Sequence, residues 1–133
     1  IRKLPDKSQA NVLNALRGLE RLYGPKRFRH IFKSITADNG SEFLDFQALE
    51  ASAFASKPRT RLFYAHAYAS WERGSNENAN RMIRRFVAKG CDIAHITKKS
   101  LQSIETWINN CPRRILSFST PLSLFNNELR AIA

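Results

Sequence analysis

A chain of 133 residues is long enough for one domain with a real core and too short for two, and 43% hydrophobic with 11% aromatic excludes compositional disorder. Twenty-two Lys and Arg against eleven Asp and Glu give a net charge of +11 and a pI near 10.4, which points to a polyanionic partner, nucleic acid before others. Two cysteines, Cys91 and Cys111, make no disulfide framework and no zinc spacing, so they read as free thiols.

No apolar run approaches the ~18 residues of a membrane span, so no membrane partner is expected. The opening "IRKLPDK" has no signal-peptide apolar region and no initiating Met. It reads as the end of a strand in a domain excised from a longer chain. "PDKSQANVLNALRGLERLYGP" predicts a helix capped by Asp6 or Ser8, with Val12, Leu16, Leu19 and Leu22/Tyr23 as its apolar stripe, stopped by Gly24-Pro25. "HIFKSITADNG" predicts a strand from Ile31 to Ala37, ended by Asn39-Gly40.

"SEFLDFQALEASAFAS" reads as a second helix, with Phe43, Phe46, Leu49 and Phe54 near its buried face and Lys57-Pro58 as its stop. "TRLFYAHA" reads as a short strand. The helix holding Glu77 follows a polar loop, then one capped by Thr97 with Leu101, Ile104 and Trp107/Ile108 as its stripe. A last helix carries Thr120 as N-cap and Pro121 at its first position. This order predicts an α/β fold with parallel strands in the first half.

Two acids stand out. Asp38 ends a predicted strand, where open α/β sheets gather ligands and catalytic groups. Asp-Asn-Gly is also a favoured turn for backbone reasons alone. On a helical wheel, Asn80, Arg81 and Arg84 fall within about 60° of Glu77, with Ala79, Met82, Ile83 and Phe86 opposite. Such a face is ordinarily a solvated surface, but a carboxylate among arginines is out of place in plain nucleic-acid binding. Two converging carboxylates invite a hard cation such as Mg²⁺, and a pair of such ions performs phosphoryl transfer on nucleic acid.

"SITADNGSEF" with "FYAHAYASWERGSNENANRMIRRF" resembles the catalytic core of DDE transposases of bacterial insertion sequences, the IS-thirty family above others, within the retroviral-integrase superfamily. "NNCPRRILSFSTPLSLF" is similar to the segment that follows the third acid in that family. The resemblance implies a ribonuclease-H-like (integrase core) α/β fold, DNA as partner, Mg²⁺ or Mn²⁺ as cofactor, and a cytoplasmic, nucleoid-associated place in a bacterium. It makes Asp38 the second acid of the triad and Glu77 the third, both metal ligands. It sets Asn39, Trp71, Arg73, Asn80, Arg81 and Arg84 beside the DNA.

Thirty-eight residues separate the two acids, a few more than the family shows, with the excess expected around "SAFASKPRT". The first acid belongs on a strand upstream of the first helix here, so the first strands are expected to be missing. The fragment alone is then expected to bind metal weakly and to lack strand transfer. An uncovered strand edge would favour a homo-oligomer. Tyr68 and Trp71 read as loop anchors or DNA-stacking groups, His66 as a structural residue near the acids, Trp107 as core, and Lys98-Lys99 and Arg113-Arg114 as solvated charges or phosphate contacts. A hydrolytic ribonuclease-H-like nuclease and a non-catalytic basic DNA-binding module remain competing readings.

Overall fold

The computed structural model describes residues 1–66 and 74–132. The backbone divides into two units, residues 2–73 and residues 74–133 with Ile1, taken separately below. In the first, α1 (Gln9–Tyr23) begins where the Ser8 hydroxyl accepts from the Asn11 amide at 3.3 Å. Asp6 assists from outside the helix, accepting from the Ser8 amide and the Asn11 side chain, each at 2.8 Å. Those hydrogen bonds hold its carboxyl below the usual carboxylate range. Ser8, one of the two expected caps, is therefore the cap, and Asp6 braces it.

Gly24, at φ 76°, turns the chain sharply into α2 (Pro25–Ile31), with Pro25 pre-set for the first turn. This helix takes Ile31, the first residue of the expected strand, and Phe32 caps it. Phe28 is wholly buried and stacks 4.6 Å from Phe32, which in turn lies 6.4 Å from Tyr23. Burying that ring on α1 stabilises the helix by about 2–3 kcal/mol, enough to override the strand preference of Ile31. β1 is thus only Ser34–Ala37.

The second expected helix is also interrupted. A short turn of helix at Ser41–Phe43 is followed by α3 (Phe46–Glu50), whose N-terminus Asp45 caps through the Ala48 amide at 3.0 Å. Beyond Glu50, the Ser52 hydroxyl donates to Glu20 on α1 and accepts from the amides of Phe54 and Ala55. Those bonds draw the chain out of helical geometry. Leu49 is buried as expected, but Phe46 and Phe54 are about half exposed, and the Arg21 guanidinium lies 5.7 Å above the Phe54 ring.

β2 (Arg61–Tyr64) pairs with β1 in parallel, in the register Ser34–Arg61 through Ala37–Tyr64. Parallel strands in the first half were expected, and among the described residues the sheet has these two. Residues 1–4 form no strand. The outer edge of β2 is met by Glu50, whose carboxylate accepts from the Leu62 amide at 2.7 Å.

Under the sheet end lies a buried ion pair. Glu20 and Arg59 are 0% and 2% exposed, with Arg59 Nη1 3.2 Å from Glu20 Oε2. Arg59 Nη2 also donates to the Ala48 carbonyl at 3.1 Å, and its backbone amide to the Glu50 carbonyl at 2.7 Å. Burial pushes the guanidinium pKa down, Glu20 pulls it back up, and Arg17 presses it down again.

In the second unit, α4 (Gly74–Ile83) packs on α5 (Lys98–Asn110), and α5 on α6 (Pro121–Ala131). Thr97 and Thr120 cap α5 and α6 through the amides of Ser100 and Ser123, each at 3.1 Å. Met82 and Ile104 are buried at the contact. Trp107, expected in the core, is 37% exposed: the Phe86 ring meets it edge-on at 5.0 Å and Arg85 lies 5.7 Å over its face. The fold is therefore mixed α/β, mostly helical, with one small parallel sheet.

Breaking the buried pair from one side strands a charge in the core, at a cost of about 3–5 kcal/mol. Glu20→Gln and Arg59→Met are each expected to lower the urea midpoint of unfolding sharply, while Glu20→Leu combined with Arg59→Met recovers most of the loss. A single variant with an unshifted midpoint would contradict this account.

Candidate functional site

Asp38 is the first residue past β1. It is half-buried, followed by exposed Asn39 and by Gly40. Three bonds fix the strand end. The Ala65 amide reaches the Ala37 carbonyl at 2.9 Å, the Tyr64 hydroxyl donates to the Phe43 carbonyl, and Gln9 Nε2 on α1 donates to the Ser41 carbonyl at 3.0 Å. These bonds tie together the strand, α1 and the short turn on either side of Asp38. His66 follows β2 on the same end of the sheet and is exposed.

Gly40 has ordinary backbone angles, φ −66° and ψ 148°, so no conformational demand requires glycine there. Space does. A Cβ on Gly40 would lie 2.6 Å from Glu42 Oε2 and 3.1 Å from Asp38 Oδ1. Two carboxylates therefore converge over the bare glycine backbone. Sequence reasoning did not single out Glu42. The signal was the glycine itself, placed between two acids and wanted for its missing side chain.

The third candidate acid stands in the other unit. Glu77 is exposed in the first turn of α4, and Asn80 and Arg81 are exposed further along it. Arg84, expected on the helix, is exposed in the turn just past its end, its amide donating to the Asn80 carbonyl at 2.9 Å. Met82 is buried opposite and Ala79 and Ile83 are half-buried, so the amphipathic division expected from the sequence is present. Phe86, expected on the apolar side, is about half exposed. Arg81 turns along its own helix and donates to the Asn78 side chain at 2.9 Å. Trp71, Arg73 and Tyr68 lie outside the described residues.

The first unit therefore brings together Asp38, Asn39 and the unforeseen Glu42, and α4 with the turn after it carries Glu77, Asn80, Arg81 and Arg84. The site chemistry available in the first unit is that of hard oxygen donors held close at a rigid strand end. Among the described residues no three of His, Cys, Asp and Glu form a metal-binding group. No helix there is long and apolar enough to cross a membrane.

Comparison with known proteins finds relatives of one kind. The chain is 34% identical over 125 residues, 94% of its length, to "Transposase for insertion sequence element IS4351" of Bacteroides fragilis. It is 36% identical over 124 residues, 93% of its length, to "Probable transposase for insertion-like sequence element IS1161" of Streptococcus salivarius. To "Transposase InsI for insertion sequence element IS30A" of Escherichia coli it is 34% identical over 89 residues, 67% of the chain and 22% of that protein. It spans about a third of the first two, 35% and 32%. No family model and no solved structure matches. Over nearly all of its length, the chain is a homologue of part of the transposases of bacterial insertion sequences, those of the IS-thirty type among them.

Proposed function

We propose that this chain is part of the catalytic core of a DDE transposase, in a ribonuclease-H-like fold, that cuts and joins DNA at insertion-sequence ends. The observation that carries the reading is the position of Asp38, at the C-terminal end of a parallel strand and rigidly tied there, in a chain homologous to transposases. Such strand ends are where α/β sheets assemble reacting groups.

Asp38 and Glu77 are the acids assigned to the chemistry. Asn39, Asn80, Arg81 and Arg84 are assigned to DNA, as are Trp71 and Arg73 in the segment before α4. Exposed guanidiniums on one helix side suit phosphates and set register without reading sequence. A divalent cation fits the donor set, because Asp38 Oδ1 and Glu42 Oε2 converge on a space that a methyl group would fill and carboxylate oxygens suit Mg²⁺ or Mn²⁺. Asp38 and Glu77 would hold it, with Glu42 beside Asp38. Bound there, it would supply Lewis-acid activation of a water or 3′-hydroxyl and neutralise charge on the phosphate.

What the chain's own residues do follows from electrostatics. A carboxylate at Glu77 repels phosphates that Arg81 and Arg84 attract, so without a cation it opposes DNA binding. In EDTA, Glu77→Gln is therefore expected to tighten duplex binding by the 133-residue chain severalfold at low salt, measured by fluorescence anisotropy. With Mn²⁺ followed by water-proton relaxation, Asp38→Asn and Glu77→Gln are each expected to weaken cation binding about tenfold or more. The tightening in EDTA is expected of any DNA-binding face, so cation binding decides: a non-catalytic DNA-binding module would leave Mn²⁺ affinity at its wild-type value in both variants, and that result would end the reading.

Gly40→Ala tests the cradle. The methyl must displace the Glu42 carboxylate, the free end of a flexible side chain, so thermal stability is expected to change little, by less than about 1 kcal/mol. Mn²⁺ affinity is expected to fall severalfold. Unchanged affinity would remove Glu42 and the space over Gly40 from the cation site.

A further inference from the structure

Between α5 and α6 the chain makes a closed turn, Arg113 to Ser119. The Arg113 amide donates to the Ser119 carbonyl at 3.2 Å, and the Arg113 carbonyl accepts from the amides of Leu116 at 2.9 Å and Phe118 at 3.0 Å. Ser117 donates back to Arg114 at 3.1 Å and Ser119 to Leu116 at 2.9 Å. Within this frame Ser117 and Phe118 both have positive φ, 50° and 61°. They are the described non-glycine residues that do, and neither is Asn or Asp.

The turn spends that strain on an unusual display. Ile115 is 89% exposed and Phe118 72%, the two most exposed large apolar side chains among the described residues. Arg114 is exposed between them and the half-buried Arg113. Residues held in sparsely populated backbone regions persist where function needs them, and a bulky ring in the left-handed region serves no packing role when it projects into water.

Charge decides the kind of partner. From Glu105 to Glu128 no acidic residue intervenes, while Arg113 and Arg114 sit in the turn. A groove along α5, running from Lys99 past Trp107 to Pro112 just before the turn, again has no acid in its lining. A protein covering this surface would have to supply acids for the guanidinium; DNA brings phosphates, with sugars and base edges between them for apolar groups to press against.

We propose that the 113–119 turn is a DNA-contacting knob, in which Arg114 binds a backbone phosphate and Ile115 and Phe118 enter a groove as an apolar wedge. Proteins that bend DNA use such side chains against partly unstacked base steps. The inference rests on the reading of the chain as a DNA-processing protein and adds a surface apart from the acidic residues.

The test is duplex binding by the 133-residue chain across a salt series, with sedimentation to follow self-association. Phe118→Gly relieves the strain and removes the ring, so the melting temperature is expected to rise by a few degrees while DNA affinity falls about tenfold or more with its salt slope unchanged. Ser117→Gly is expected to gain stability and keep wild-type affinity, and Ile115→Ser to lose affinity alone. Arg114→Gln is expected to lower the slope of log K against log salt by about one. Wild-type DNA affinity in Phe118→Gly and Ile115→Ser would overturn the inference, as would loss of self-association with DNA binding intact, which would make the knob a contact between copies. If the unmodified chain binds no DNA at all, the underlying DNA reading fails first, and the two failures are distinct.

Discussion

The first unit is organised by the pair Glu20–Arg59, because each partner reaches a different layer. Glu20 belongs to α1, and through Ser52 its other carboxylate oxygen also holds the exit from α3. Arg59 stands two residues before β2, and its side chain and backbone both bind the end of α3. One buried contact thus fixes helix, turn and strand together. The desolvation of two ions is large and their attraction inside the protein only roughly offsets it, so the gain lies in definition more than in net stability. If β2 slid by one residue, its side chains would move to the opposite face of the sheet.

Downstream of that constraint, the site is a problem of crowding. The strand end places Asp38, the short helical turn at Ser41–Phe43 swings Glu42 back, and both carboxylates arrive over Gly40. Two like charges at such range raise the free energy of the arrangement unless something positive is near. Any larger residue at position 40 would relieve the crowding by pushing the carboxylate of Glu42 out. Glycine here is thus a condition on electrostatics, imposed through volume.

Where local signals were strong, the sequence was sufficient. The caps at Ser8, Thr97 and Thr120, Pro121 at the start of α6 and the two-sided nature of α4 follow from residue chemistry that acts within a few positions. The parallel pair was legible from the order of elements. What could not be read depended on contacts distant in sequence. Ile31 is helical because Phe28 finds a pocket against α1. The expected helix from Ser41 breaks because Ser52 has a partner thirty-two residues upstream. Trp107 lies on its apolar stripe, yet Phe86 and Arg85 cover it only in part. Glu42 was hidden for a different reason: it stands in the same turn as Asp38, and two acids flanking a glycine look like ordinary turn chemistry.

The use of acids in so basic a chain sharpens the assignment of the site. Several of the eleven have evident structural work. Asp6 and Asp45 serve helix starts, Asp92 accepts from the Ala94 amide and lies 3.5 Å from His95, Glu20 neutralises Arg59, and Glu50 covers an edge amide of β2. Each of these satisfies a donor that would otherwise go unmet. Asp38 and Glu42 meet each other over Gly40, and Glu77 stands exposed among Asn80, Arg81 and Arg84. In a protein with twice as many cations as anions, these carboxylates work against general attraction to phosphate. Under the proposed function each of these carboxylates faces the same electrostatic condition, a nearby positive charge to offset its repulsion of phosphate.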